Sequence, residues 1–209
     1  MRIYAVVGGI AAGKSTVARR LARRHGGTWL DADRVGHQVL RLRRVQRRLL
    51  ATFGPDIVAP GGGIDRRRLG AQVFGKPARL RALNGIVHPE IAARIRARLG
   101  RLRRRGVPFV LLDAALFYEF DLGLPVDGVL AVVARRAVRR ERLQARNGWT
   151  AREAEARLRS QPGVEDWTRR AGVRIDSDCT WRELDARLEA AWRELRRQKR
   201  RRGRGRVAA

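Results

Sequence analysis

The chain has 209 residues, 44% of them hydrophobic, which is enough to bury the core of one domain. Its 48 Lys and Arg against 20 Asp and Glu give a formal net charge of +28, which favours anionic partners such as phosphorylated metabolites or nucleic acid. The single cysteine, Cys179, excludes an internal disulfide framework, and no apolar run reaches the ~18 residues of a membrane span, so we expect a soluble, cytoplasmic protein.

The first predicted elements alternate between strand and helix. A short apolar strand at 3–7 stops at Gly8-Gly9, and an amphipathic helix at 14–24 places Val and Leu side chains opposite arginines. A second strand at 28–30 leads into an acidic triplet. This order indicates a βαβ unit and therefore a parallel sheet.

The next 70 or so residues hold no convincing strand. Three or four helical segments are predicted, at about 34–53, 65–74 and 78–104, and the His88-Pro89 step interrupts the last of them. Alternation then resumes, with strands at 108–113, 129–134 and 173–175 and helices at about 136–146, 150–160 and 181–195. We therefore expect an α/β fold, a five-stranded parallel sheet flanked by helices, with a helical insertion after the second strand.

The positive charge is regional. Residues 1–110 carry a net +20, residues 111–195 are neutral, and residues 196–209 carry +8. The final segment has almost no apolar residues and is predicted to be a disordered basic tail, through which non-specific contact with nucleic acid is possible.

Residues 8–15, GGIAAGKS, satisfy the pattern G-x-x-x-x-G-K-[ST] between a strand and a helix. Such a loop turns backbone N–H groups towards phosphate oxygens, and Gly8 and Gly13 permit the conformations that this requires. Lys14 reaches the β- and γ-phosphates, and Ser15 supplies a hydroxyl to Mg²⁺. The pattern predicts that the chain binds a nucleoside triphosphate or descends from one that did.

Carboxylates follow two of the predicted strands. Asp31 and Asp33 come after the second strand, where one could accept the proton of an attacking hydroxyl and the other could orient hydrated Mg²⁺. Asp33 could instead cap a helix that begins near Arg34. Asp113 ends the strand PFVLLD, as the acid of a Walker-B strand does.

Other candidates are ambiguous from spacing alone. Glu119 is either functional or a solvated loop carboxylate, and His88 either begins a helix facing the site or is a hydrogen-bonded structural histidine. Arg142 and Arg146 lie one turn apart, so both could face one polyphosphate or form a solvated stripe.

Taken in order, these motifs resemble the dephospho-coenzyme A kinase family from residue 1 to about 195. The matching motifs are GGIxxGKST at 8–16, the DAD triplet at 31–33, the HP step at 88–89, LDxxLxxE at 112–119, and the run from Arg142 through Arg146 to Gln161. The resemblance implies a P-loop kinase fold like that of nucleoside monophosphate kinases, with a core at 1–33 and 107–195, a helical acceptor-binding insertion at about 34–105 and a short helical lid at about 147–170.

The resemblance also implies a reaction, in which ATP with Mg²⁺ phosphorylates the ribose 3′-hydroxyl of dephospho-coenzyme A. A monomer that binds this small molecule is expected. The implied catalytic residues are Asp33 as general base, Lys14 and Arg142. The implied ATP-binding residues are Gly8, Gly9, Ile10, Ala11, Ala12, Gly13, Lys14, Ser15, Thr16 and Arg146, with Ser15 also at the metal; Asp31, His88, Asp113 and Glu119 would bind the acceptor.

Several positions depart from the family pattern, and the larger divergence runs from Gln161 to Cys179, across the implied lid and adenine-side loop. Ala11-Ala12 stand where the family usually has Gly-Ser, and the loop at 176–179 lacks the usual asparagine and glycine. Two other hypotheses stay open, the first of them because of the basic first half and tail. The chain could be a nucleic-acid-binding protein on a relict kinase scaffold, or a kinase for another small hydroxyl acceptor.

Overall fold

Backbone contacts divide the protein into two compact units. The computed structural model describes residues 1–114, 125–161 and 163–198. One unit combines Met1–Asp31 with the described part of Arg101–Ala209, and the other is Ala32–Gly100. Among the described residues, no helix has both the length and the apolar character needed to cross a membrane.

A five-stranded parallel sheet forms the first unit, as the sequence predicts. Its strands are β1 (Arg2–Val7), β2 (Thr28–Asp31), β3 (Phe109–Asp113), β4 (Gly128–Val133) and β5 (Val173–Asp176). They lie in the order β2-β3-β1-β4-β5, and every neighbouring pair is parallel. β1 is therefore central, and the loop that follows it opens at the carboxyl edge of the sheet, where α/β proteins bind ligands.

Helices connect the strands. In chain order they are α1 (Lys14–Arg24), α2 (Ala32–Val39), α3 (Arg43–Phe53), α4 (Arg66–Val73), α5 (Pro77–Arg104), α6 (Arg136–Asn147), α7 (Ala151–Arg159), α8 (Val164–Arg170) and α9 (Trp181–Arg197), with a 3₁₀ turn at Pro55–Ile57. The helix α8 was not predicted.

Two predicted helix boundaries were wrong. The segment 34–53 is not one helix but two, α2 and α3. The backbone N–H groups of Arg41 and Leu42 donate to carbonyls three residues back instead of four, and the backbone of Leu42 is extended. Conversely, α5 runs unbroken through Pro89. The proline lacks the N–H that would have donated to the Gly85 carbonyl.

The core of the first unit joins α1 and α9 to the sheet. Tyr4 and Val6 of β1, Leu21 of α1 and Leu188 of α9 belong to one buried cluster. Burying one such leucine contributes about 1.5–3 kcal/mol, so the cluster fixes both helices against the strands. This packing holds the start of α1, and hence the end of the phosphate loop, beside β5 and α9.

The second unit contains α2 to α4 and α5 as far as Gly100. Asp65 caps α4 by accepting hydrogen bonds from the backbone N–H groups of Arg67 and Arg68. Arg44 of α3 forms a two-pronged ion pair with Glu90 of α5. Within Ala32–Gly100, all of which is described, there is no strand, as the sequence predicts.

Candidate active site

The loop after β1 has the backbone that its glycines predict. Gly8 has a φ of 144°, and a Cβ there would lie 2.1 Å from the Val132 carbonyl oxygen. Only glycine allows the loop to leave β1 so close to β4. Ala11 has a φ of 59° and is the one non-glycine residue with positive φ in the described chain.

Three consecutive carbonyls of this loop are held by side chains from other elements. Since C=O and N–H point in opposite directions across a trans peptide, these bonds turn the N–H groups of Ala11 and Gly13 away from them. A loop so held keeps a conformation that can face an anion before any ligand arrives. The bonds are Arg139 Nε to Ile10 O (2.8 Å), Arg142 Nη1 to Ala11 O (3.3 Å) and Ser177 Oγ to Ala12 O (2.7 Å).

Two further bonds use groups that the motif assigns to phosphate binding. The Lys14 ammonium donates to the Gly9 carbonyl at 3.1 Å. The Ile10 N–H donates to Gln161 Oε1 at 2.6 Å, so the last motif residue of the family pattern contacts the phosphate loop directly.

Ser15, Asp113 and Asp31 meet at the edge of the sheet. The Ser15 hydroxyl donates to Asp113 Oδ2 at 2.6 Å, and Asp31 pairs with Asp113 in the register of β2 and β3. Burial raises the pKa of Asp113, and the negative charge of Asp31 adds to this; the Ser15 hydrogen bond and the charge of Lys14 act in the opposite direction. Asp113 thus lies beside the phosphate loop, where a Walker-B acid is expected.

This group of oxygens suits Mg²⁺, which prefers hard oxygen ligands and binds through one or two carboxylates together with phosphates and water. No cluster of three or more His, Cys, Asp or Glu side chains that could hold a metal occurs in the described chain. The donor set at the loop is instead one hydroxyl and two carboxylates, which leaves coordination positions for ligand oxygens.

A cavity of about 180 Å³ adjoins the phosphate loop. Arg142 and Ser177 form part of its wall. The Arg142 guanidinium donates to Ser177 Oγ at 3.0 Å and to the Ser177 carbonyl at 2.7 Å. The residues that line the cavity are Gly13, Thr16, Val17, Arg142, Ser177, Cys179, Trp181 and Leu184.

The arginines of α6 differ in their surroundings. Arg142 is partly buried against the loop at 176–179, whereas Arg146, one turn further on, is exposed. Sequence reasoning missed Arg139, although its position three residues before Arg142 puts both on one helix face. It also missed Ser177, which occupies the loop where the family asparagine was sought.

Asp33 and His88 belong to the second unit, Ala32–Gly100. Asp33 is exposed and is the second residue of α2. The hypothesis that it caps this helix was therefore wrong. His88 lies in the middle of α5, so the idea that it begins a helix was wrong. Burial lowers the pKa of His88 to about 4, and its imidazole is therefore neutral at pH 7. Glu119 and the tail from 199 onward fall outside the described residues.

Comparison with known proteins identifies the family. The sequence model of the dephospho-CoA kinase family matches residues 2–183. The chain is 41% identical to dephospho-CoA kinase of Symbiobacterium thermophilum over 92% of its own length and 81% of the relative's. It is 39% identical to that of Geobacter sulfurreducens, over 92% and 98% respectively.

The solved structure of TT1252 from Thermus thermophilus superposes with a TM-score of 0.78 at 33% identity, covering 93% of this chain and 97% of that one. Fold, phosphate loop and sequence thus agree over nearly the whole length. The chain belongs to the dephospho-CoA kinase family.

Proposed function

We propose that the protein transfers the γ-phosphoryl group of ATP to the ribose 3′-hydroxyl of dephospho-CoA, giving CoA and ADP. The observation that carries this is the phosphate loop with Ser15 bonded to the buried Asp113 at 2.6 Å, in a chain of this family. The curated relatives are named dephospho-CoA kinases, which supports this proposal.

The phosphate loop binds the ATP phosphates. Residues 8–16 supply backbone N–H groups, and Lys14 exchanges its bond to the Gly9 carbonyl for phosphate oxygens. Ser15 and Asp113, with Asp31 beside them, would hold Mg²⁺, which neutralises charge on the phosphates when bound. The cavity lined by Arg142, whose volume is about 180 Å³, is assigned to the adenine base.

Asp33 is the general base. As the acceptor hydroxyl attacks phosphorus, its proton passes to the Asp33 carboxylate, a new P–O bond forms to the ribose oxygen, and the bond to the bridging oxygen of ADP breaks. Asp33 is exposed on the first turn of α2, so it is accessible to a ligand. His88 and Glu119 stay assigned to the acceptor. Asp31 and Asp113, for which the resemblance implied the same role, are instead assigned to the metal because Asp113 accepts a hydrogen bond from Ser15.

Arg142 and Arg146 stabilise the negative charge that spreads over the phosphoryl group during transfer. The segment at about 34–105 is assigned to acceptor binding and the segment at about 147–170 to a lid. Much of the +20 net charge of residues 1–110 then serves to attract two polyanionic substrates.

A coupled assay of ADP formation tests the proposal. Dephospho-CoA with ATP and Mg²⁺ is compared with a panel of nucleosides and shikimate, and only dephospho-CoA should give turnover. Lys14→Ala should lower kcat/KM by orders of magnitude, and Asp33→Asn should lower kcat about 10²–10⁴-fold without unfolding the chain. Faster turnover of another acceptor would overturn the proposed substrate, and wild-type turnover by Asp33→Asn would remove the base.

A further inference from the structure

Arg139 is a half-buried cation that lies against the phosphate loop, and no motif assigns it a role. Its Nε donates to the Ile10 carbonyl at 2.8 Å. A Cβ on Gly9 would lie 2.3 Å from its Nη2 and 2.8 Å from its Nη1. The guanidinium therefore rests directly on the backbone of Gly9, the second residue of the loop.

The charge of Arg139 has no counter-ion in the described chain. On the same helix, Arg135 forms an ion pair with Asp178 and Arg136 with Glu155. Arg139 pairs with no described carboxylate, and its two terminal nitrogens make no hydrogen bond to a described residue. Burial, together with the positive charge of Arg136, lowers its pKa, as expected for a cation without a neighbouring anion.

We infer that Arg139 is a further phosphate-contacting residue of the ATP site, an inference that rests on the proposed function. A partly buried cation without a partner is costly in the free protein, and a phosphate group in the adjacent loop offsets that cost. The planar guanidinium presents Nη1 and Nη2 side by side, which suits two oxygens of one phosphate. Its Nε stays bonded to Ile10 and fixes the direction of this fork.

The competing role is positional, in which Arg139 only holds the Ile10 carbonyl. Two variants separate the roles. Arg139→Lys keeps the positive charge but loses the fork, whereas Arg139→Gln keeps an N–H donor for the carbonyl but loses the charge. Arg193→Gln is a matched control. The variant removes the same charge, but from an exposed residue of α9.

The experiment measures the dissociation constants of ATP directly and of adenosine by competition, with the full chain at low and moderate salt. A charge-assisted hydrogen bond is worth about 1.5–3 kcal/mol, so Arg139→Gln should weaken ATP about 10- to 150-fold and leave adenosine unchanged. Arg139→Lys should fall between Arg139→Gln and wild type. Arg193→Gln should bind both ligands as wild type does.

Three results would overturn the inference: wild-type affinity of Arg139→Gln for ATP, an equal loss for ATP and adenosine, or weaker ATP binding by Arg139→Lys than by Arg139→Gln. The last two would assign Arg139 to holding the loop. Because nucleotide binding is the readout, the outcome is independent of the acceptor. A wild-type protein that binds ATP but does not phosphorylate dephospho-CoA would contradict the proposed function and leave the inference about Arg139 unaffected.

Discussion

The hydroxyl of Ser15 donates a 2.6 Å hydrogen bond to Oδ2 of Asp113, across 98 residues of sequence. It joins the first turn of α1 to the end of β3, the strand next to β1 in the sheet. The carboxylate is buried, with 5% of its surface exposed, and Asp31 adds a second negative charge beside it. A buried carboxylate with a second carboxylate beside it is costly without a cation, which is the arrangement that a magnesium-dependent site requires.

Asp113→Asn should therefore separate activity from stability. Losing a carboxylate that orients the metal should lower kcat/KM about 10- to 100-fold. The nucleotide-free protein should become more stable at neutral pH, because the buried charge is gone and the amide oxygen can still accept the Ser15 hydrogen bond. Steady-state kinetics and urea unfolding measure the two effects.

The gain in stability of Asp113→Asn should depend on pH, because the pKa of the wild-type carboxyl is shifted. Burial raises the pKa of Asp113 in the folded state, so the folded protein gives up its proton at higher pH than the unfolded chain does. The stability that the protonated carboxyl contributes is lost as pH rises through the folded pKa. The gain in the free energy of unfolding that Asp113→Asn gives over wild type should grow as pH rises through the folded pKa, and it should vanish at lower pH. Asp185→Asn, which alters a surface pair with Arg20, should show neither effect.

Ser177→Ala should weaken ATP binding selectively. The variant leaves the buried Ala12 carbonyl without the hydroxyl that donates to it, and Arg142 Nη1 keeps only its longer bond to the Ala11 carbonyl. An unsatisfied buried group costs about 1–3 kcal/mol, which corresponds to a rise in the KM for ATP of about 5- to 150-fold. The KM for dephospho-CoA should not change. Equal rises for both substrates would mean that Ser177 supports the fold rather than the nucleotide site.

The sequence predicted the sheet because its signals are local. The five strands are short apolar runs bounded by turn residues, and the phosphate loop has a fixed spacing between Gly8 and Ser15. These features depend on neighbours in the chain. They were therefore readable without any knowledge of the tertiary contacts.

The remaining features depend on contacts distant in sequence. Arg139 is one of several arginines on α6, and only its contact with Gly9 distinguishes it from Arg136, which forms a surface pair. Ser177 could be recognised only when its hydroxyl was seen at the Ala12 carbonyl, 165 residues away. The break near Leu42 was missed because apolar spacing continues across it while the hydrogen bonds change.

Ala11→Gly should not destabilise the protein. A non-glycine residue in the left-handed region costs about 1–2 kcal/mol, and glycine removes this cost while adding about 0.4–1 kcal/mol of unfolded-chain entropy. The net free energy of unfolding should stay level or rise by up to about 1 kcal/mol in urea titrations. Ala186→Gly, at an exposed position within α9, should lose about 1 kcal/mol. Equal losses in both variants would show that Ala11 is not strained.

His88 should make folding stability depend on pH. Its pKa is lowered from 6.5 to about 4 by burial, so below about pH 6.5 the unfolded chain binds a proton that the folded protein does not. The contribution of the neutral His88 to the free energy of unfolding is complete above about pH 6.5 and is lost as pH falls towards 4. Wild-type protein should unfold at lower urea concentration at pH 5 than at pH 7, and His88→Gln should flatten this difference. His37→Gln, which removes an exposed imidazole, should keep the wild-type slope. An NMR titration that places the His88 midpoint near 6.5 would contradict the prediction.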